Sequence, residues 1–327
     1  SGAAMRTWSV QMAAMSAGGE SRPGLRDGRL AAASAAFGRL PPTALLLLAI
    51  VSVQLGAALA SALFSSLGPA GTAFATSLLS AAVLSAVRPR RDGAGGAGRA
   101  RLRRHLGLVL LFGLADSAMV LPFYLAMQRI PLGIVATITF LGPLGLAVAT
   151  SRRPVHFLWI GIAALGVALL TPDVSIGTAG GGIAGAGING AGLDPVGLAY
   201  AVIAGLAWAA FVPLSKRAGA VFPGNEGLAF GLWASAAMLL PLALAERSLL
   251  QAGVGDLLVA LGVSLLGTVL PLVLEFRALQ HMSARTYGIL VTLEPAVGAL
   301  VGMLCLGQPA SPRMAIAVAC VMLAALG

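Results

Sequence analysis

FYLAMQRIPLGIVATITFLGPLGLA, residues 123–147, lies without a gap over EFRALQHMSARTYGILVTLEPAVGA, residues 275–299, at an offset of 152. Five positions are identical (Ala126/Ala278, Gln128/Gln280, Leu141/Leu293, Pro143/Pro295 and Ala147/Ala299), and most others exchange one apolar residue for another. The paired prolines fall at the same place in two long apolar runs, which gives the repeat more weight than its identity alone. If each copy carries an odd number of membrane crossings, the two copies point in opposite directions. Inverted pairs of that kind build a central site that can face either side of a bilayer.

The surroundings of the repeat fit such a reading. Hydrophobic residues make up 58% of the 327, charged residues only 10%, and mean hydropathy is +0.93. An ordinary water-soluble domain carries about 25% charged residues, so that class is excluded. Ten apolar runs, 43–65, 69–88, 105–128, 131–150, 155–172, 196–215, 227–245, 254–276, 285–306 and 312–327, are long enough to be candidate crossings of a hydrocarbon core about 30 Å thick. The expected fold is therefore an all-α polytopic membrane protein, its ten transmembrane helices arranged as two inverted five-helix repeats. The expected organisation is an Arg-rich, disordered cytoplasmic tail at 1–42, a first repeat at 43–172, a Gly-rich external linker at 173–195 and a second repeat at 196–327.

A net charge of +10 suggests nucleic acid, but the distribution of the charges argues otherwise. With the N-terminus placed in the cytoplasm, eighteen of the 21 Lys and Arg fall inside, and only Arg129, Arg247 and Arg313 fall outside. That bias matches the positive-inside rule and an even number of spans with both termini cytoplasmic. A basic surface that reads DNA would not be divided among alternate loops. The glycines of 173–195 resemble a phosphate-binding spacing, yet they follow no soluble strand and precede a membrane span, so a linker is the better reading.

Ionisable groups inside membrane spans are costly, and they are functional candidates by default. Three carboxylates qualify: Asp116 in the third run, Glu275 late in the eighth and Glu294 in the middle of the ninth. Glu294 precedes Pro295, whose missing N–H loosens the helix and frees a carbonyl one turn back. Tyr287 stands seven residues earlier on the same helical face, and Gly298 one turn later leaves either room for a substrate or a close helix contact. Glu275 has Arg277 and Arg285 within pairing distance along the chain, so an ion pair competes with substrate contact. In the first copy, Gly142 and Pro143 occupy the places of Glu294 and Pro295 and form the matching candidate helix break. Thr139, with Thr137, approaches that break, although both hydroxyls have helix carbonyls as alternative partners. Gln54 and Trp208 are candidate cavity-lining groups in the first spans of the two halves, and Tyr124 reads as an interfacial anchor. Cys305 and Cys320 read as buried small apolar residues. The sequence offers no Ser/His/Asp arrangement, HExxH or Walker motif, and no metal or cofactor site.

SVQLGAALASALF (52–64), FYLAMQRIPLGIVATITFLGPL (123–144), SRRPVHFLWIGIAALGVALL (151–170) and ARTYGILVTLEPAVGALVGMLCLGQ (284–308) resemble the EamA-type drug/metabolite transporters, most closely the bacterial threonine/homoserine exporter subgroup. The resemblance implies a bacterial inner-membrane exporter of small amino acids driven by the proton gradient, a monomer or homodimer whose partners are its small-molecule substrate and the lipid. It places Gln54 in a QLGAALA pattern, Glu275 in LPxxLExxAL, and Arg285, Gly288, Glu294 and Pro295 in ARxxGxLxxLEP. This chain departs from the subgroup at Val120, Thr139, Leu272, Val273 and Gln308, where polar or acidic residues are usual. Those departures leave open export of lipophilic cations or drugs, and, in another class, a non-transporting receptor or assembly subunit.

Overall fold

The computed structural model describes residues 40–86, 100–149, 194–222, 225–246, 252–282, 284–309 and 312–326, and these are helical with short connections. The N-terminal tail, most of the Arg-rich loop between the second and third runs, the fifth run and most of the Gly-rich linker lie outside the described residues.

The helices run in the order α1 (Pro42–Ser61), α2 (Gly68–Ala86), α3 (Leu106–Met127), α4 (Leu132–Ala149), α5 (Pro195–Val221), α6 (Glu226–Ala245), α7 (Val254–Ser264), a π-helical turn (Leu265–Val269), α8 (Leu270–His281), α9 (Ala284–Val291), α10 (Glu294–Leu306) and α11 (Pro312–Leu326). Prolines open several of them. Pro42, Pro195 and Pro295 sit in first turns, where the missing N–H would have had no helical partner anyway. Gly307 closes α10 in the left-handed region at φ +62°, and the Gln308 N–H reaches back to the Gly302 carbonyl at 3.1 Å. A side chain at position 307 would resist that conformation.

Among the described residues, six helical segments are long and apolar enough to cross a membrane: α1, α2, α3, α5, α6 and Val254–Glu275, which passes through the π turn. This is a multi-pass helical membrane protein. Of the ten runs read from the sequence, the fifth falls outside the described residues. The ninth is not one uninterrupted helix, because α9 ends at Val291 and α10 begins at Glu294. Pro295 cannot donate the helical hydrogen bond to Val291, which accounts for the interruption. Large apolar side chains face outward on α3 (Leu110, Leu111, Leu114), α5 (Val202, Ile203, Leu206) and α7 (Leu257, Leu258), as lipid-contacting surfaces do.

Helices from the two halves of the chain interleave. The extensive packings are α3 on α5, α2 on α6, α4 on α5, α3 on α6, α1 on α8, α4 on α10, α1 on α10 and α2 on α7. Small residues let the backbones meet. At Gly56 on α1 a Cβ would lie 2.7 Å from the Gly267 nitrogen in the π turn, and at Gly113 on α3 it would lie 2.6 Å from the Ala234 Cβ on α6. Side-chain hydroxyls reinforce the contacts. Ser52 donates to the Leu266 carbonyl at 2.7 Å, a carbonyl in the π turn, where the i→i+5 ladder leaves backbone oxygens off the α-helical register.

Candidate substrate site

Glu294 occupies the first turn of α10, directly after the interruption of the ninth run. The Thr292–Leu293 turn keeps a partial ladder, with Leu293 N–H donating to Leu290 at 3.0 Å and Val297 N–H to Leu293 at 2.9 Å. The α10 N-terminus brings the positive end of a helix dipole and N–H groups without partners in their own helix. Glu294 is half-buried there.

Tyr287 on α9 is buried, and its hydroxyl donates to the Glu275 carboxylate at 3.4 Å. Glu275 and Glu294 both lie within electrostatic reach of Tyr287 and of each other. Two acids, a phenol and a helix N-terminus thus gather where α8, α9 and α10 meet α1. Gln54 on α1 closes one side. A Cβ at Gly298 would stand 3.1 Å from Gln54 Oε1 and 3.0 Å from the Ala136 Cβ on α4, so the glycine admits both helices at this level. Gln54 is 2% exposed, and its Oε1 has no hydrogen-bond partner among the described residues. The Arg285 side chain falls outside those described.

The first-copy elements behave differently. The sequence reading puts a helix break at Gly142 and Pro143, but α4 runs unbroken through both. Membrane helices tolerate an internal proline where local adjustment and neighbouring helices satisfy the freed carbonyl, as at Pro122, Pro213 and Pro241, and Gly142 sits directly on the Gly205 carbonyl of α5 with no room for a side chain. Thr137 and Thr139 donate to the Gly133 and Val135 carbonyls at 2.6 and 2.7 Å, back-bonds within their own helix. Trp208 packs edge-on against Phe140, ring centroids 6.3 Å apart. Asp116, 5% exposed on α3, lies apart from these residues and shares a side-chain hydrogen bond with Ser235 on α6.

Two further sequence readings need correcting. Tyr124 is no interfacial anchor, since it is 7% exposed and packs its ring 5.5 Å from Phe64. Cys305 is exposed, not buried, because it lies on the outward face of α10. Residues not read as site candidates in the sequence also matter. Gln308 accepts the Leu132 N–H at 3.0 Å and so ties the end of α10 to the start of α4. The buried Ser80 and Ser235 give no sequence signal, since serine is common in close-packed membrane helices. Among the described residues no group of three or more His, Cys, Asp or Glu is placed to hold a metal ion.

The pattern of the EamA-like transporter family matches residues 195–327. The threonine/homoserine exporter RhtA of Escherichia coli (strain K12) is 33% identical over 296 residues, covering 88% of this chain and 90% of that protein. The chain belongs to the EamA-like transporter family. RhtA of Salmonella typhimurium (strain LT2) is also 33% identical, over 291 residues with the same coverage. Membership makes the protein a transporter and not an enzyme, and the EamA pattern takes in α5 to α11, including Glu275, Tyr287 and Glu294.

Proposed function

We propose that this protein is a secondary active exporter of a small amino acid, such as threonine or homoserine, working by alternating access with proton antiport in the bacterial inner membrane. The carrying observation is the meeting of Glu294, Glu275 and Tyr287 at the N-terminal end of α10. A zwitterionic amino acid needs an anionic partner for its ammonium group and donors for its carboxylate. The two acids supply the first, and the helix N-terminus supplies the second. The same acids are the natural carriers of a counter-transported proton, since a proton and an ammonium group compete for one carboxylate. Gln54 lines this site, whereas Thr139 and Trp208 shape the α4–α5 wall beside it.

Two inverted five-helix repeats, with both termini cytoplasmic, form the scaffold we infer for this cycle. The packing pattern supports it. If α5 stands for α1, α6 for α2, α7 and α8 for α3, and α9 and α10 for α4, each of the extensive cross-half contacts described above has its exchanged twin. The α3–α5 contact answers α8–α1, α4–α5 answers α10–α1, and α3–α6 answers α7–α2. The pairs α2–α6 and α4–α10 map onto themselves. The cytoplasmic assignment rests on the charges: Arg101, Arg103, Arg104, Lys216 and Arg217 gather near one end, where Arg101 pairs with Glu226 at 3.9 Å.

Export of lipophilic cations fits less well. Leu272 packs against the Ala81, Leu84, Ala229 and Leu232 cluster, and Val273 is 45% exposed. The apolar character of Leu272 therefore belongs to helix packing rather than to the substrate chamber.

Proteoliposomes loaded with radiolabelled threonine or homoserine test the proposal. Efflux should follow an imposed pH gradient and collapse in Glu294→Gln. Full, gradient-driven efflux in a Glu275→Gln, Glu294→Gln double variant would reject proton coupling at this cluster. Binding without any counterflow would instead favour a receptor.

A further inference from the structure

Residues 128–131, the connection between α3 and α4, belong to the first half of the chain but seat on the second. Arg129 donates to the Asp194 carboxylate at 2.8 Å, at the start of α5. Ile130 is buried in one cluster with Ala201 of α5 and with Met314 and Ala317 of α11. Leu132, the first residue of α4, donates its N–H to Gln308 Oε1 at 3.0 Å, just beyond α10. That N–H is one of the four that every helix start leaves without a partner in its own ladder, and Pro131 before it has no side-chain oxygen to offer. Gln308 is therefore a cap supplied by the other half. Gly302 makes room for it, since a Cβ there would collide with Gln308 Oε1.

From this connection α4 runs along α10 to the substrate site. A Cβ at Gly302 would lie 3.5 Å from the Leu132 Cβ, one at Gly133 2.6 Å from the Ala299 Cα, and one at Gly298 3.0 Å from the Ala136 Cβ. Numbers rise on α4 as they fall on α10, so the two helices are antiparallel, and the seam reaches the level of Gly298 and Gln54. One turn along α1 from Gln54, Ala57 and Ala58 cluster with Leu132 and Val301, all four buried. This apolar plug covers the Gln54–Gly298 level on the side that is external in the topology proposed above.

Two properties set these contacts apart from permanent packing. The Arg129 and Asp194 side chains are 44% and 31% exposed and Gln308 is half-buried, so water can take the place of each partner at little net cost. The seam itself is made through glycines at 133, 298 and 302, so α4 can part from α10 without unthreading interlocked side chains. We propose that the α3–α4 connection is the outer gate of the transport site, with Leu132 and Val301 as its plug and Gln308 as the latch that holds it shut. The inference rests on the transport reading for what passes, and adds which contacts must part before substrate leaves. Each tie biases the closed state by its own strength, so removing one raises the open fraction by a matching factor.

Two measurements on the full-length protein test the gate. In a Cys305→Ser, Cys320→Ser background, Ala58→Cys places a thiol in the plug, and a membrane-impermeant maleimide added outside sealed right-side-out vesicles reads its exposure. Gln308→Ala should speed this labelling about fivefold, the effect of losing one neutral hydrogen bond from the closed state only. A control thiol from Ala81→Cys, in the buried α2–α6 cluster, should react no faster. Unchanged labelling at position 58, or equal acceleration at position 81, would overturn the proposal, the second because it marks general loosening.

The other measurement locks the connection in place. A Cβ at Gly197 would lie 2.8 Å from the Arg129 Cβ, so an Arg129→Cys, Gly197→Cys pair reaches disulfide geometry with about 1 Å of relaxation. Oxidation of this pair with copper phenanthroline should stop gradient-driven efflux, and reduction should restore it. Full efflux through the oxidised protein would mean that the contact never opens, and the gate would be lost. If wild type moves no amino acid at all, the transport reading fails, while the labelling at position 58 still decides the gate.

Discussion

Ser52 Oγ donates to the Leu266 carbonyl at 2.7 Å, joining α1 to the π turn that separates α7 from α8. One turn along α1, Gly56 rests against Gly267. The hydroxyl satisfies a carbonyl that the widened turn has displaced, and the glycine pair lets α1 come near enough to supply it. Ser52→Ala should destabilise the protein by about 1–3 kcal/mol by stranding that carbonyl. Gly56→Ala should cost a similar amount, about 1–3 kcal/mol, by overpacking the contact. Thermal melting in detergent reads both, and an unchanged melting temperature in Ser52→Ala would mean the bond contributes nothing.

Gln54 separates a structural role from a transport role. Its buried Oε1 lacks a partner among the described residues, so Gln54→Leu, of similar volume, should raise thermal stability by about 1 kcal/mol or more. Amino-acid efflux should fall about tenfold in the same variant, equivalent to one hydrogen bond of about 1.4 kcal/mol lost to the substrate. Unchanged efflux would remove Gln54 from the site.

Tyr287→Phe removes the hydroxyl that donates to Glu275 and little else. The expected result is a severalfold drop in efflux with melting temperature shifted by no more than about 1 kcal/mol in stability. Loss of fold rather than of transport would make Tyr287 a core residue only.

Asp194 caps α5 by accepting the Val196 N–H at 2.9 Å and pairs with Arg129 at 2.8 Å. Partial burial works to raise its pKa, but the hydrogen bonds from Arg129 and the backbone outweigh it and hold the carboxyl below the usual range. A lowered folded value means that the ionised group stabilises the protein above the unfolded value of about 3.9, and that this contribution vanishes as pH falls through the folded one. Asp194→Asn should therefore cost about 1 kcal/mol near neutrality, a modest amount because the pair is solvent-exposed. The difference from wild type should hold between pH 8 and pH 5 and shrink below about pH 4. A gap that persists undiminished at the acid end would contradict the ionic origin.

The membrane class and the positions of nearly all described helices were legible because apolar runs of this length have few other uses. Glu294 and Glu275 stood out for a related reason: a carboxylate in such a run is rare enough to be conspicuous. The difference between the two copies was not legible. Pro143 and Pro295 are equivalent in the alignment, yet only the second interrupts its helix, because what a proline does depends on the helices packed around it, and those contacts join segments far apart in sequence. Ser80 and Ser235 were silent for the same reason. A serine in a membrane helix acquires meaning only when its neighbours across the interface are known.

Arg101 and Arg129 flank α3, and each reaches an acid of the second half, Glu226 and Asp194 respectively. The third helix is thus fastened at top and bottom to the half it does not belong to. Two fragments made separately, divided within residues 173–193, would each still bear the clasps and apolar faces that fit the other. Co-expressed, they should assemble into a working whole without a covalent bond between them.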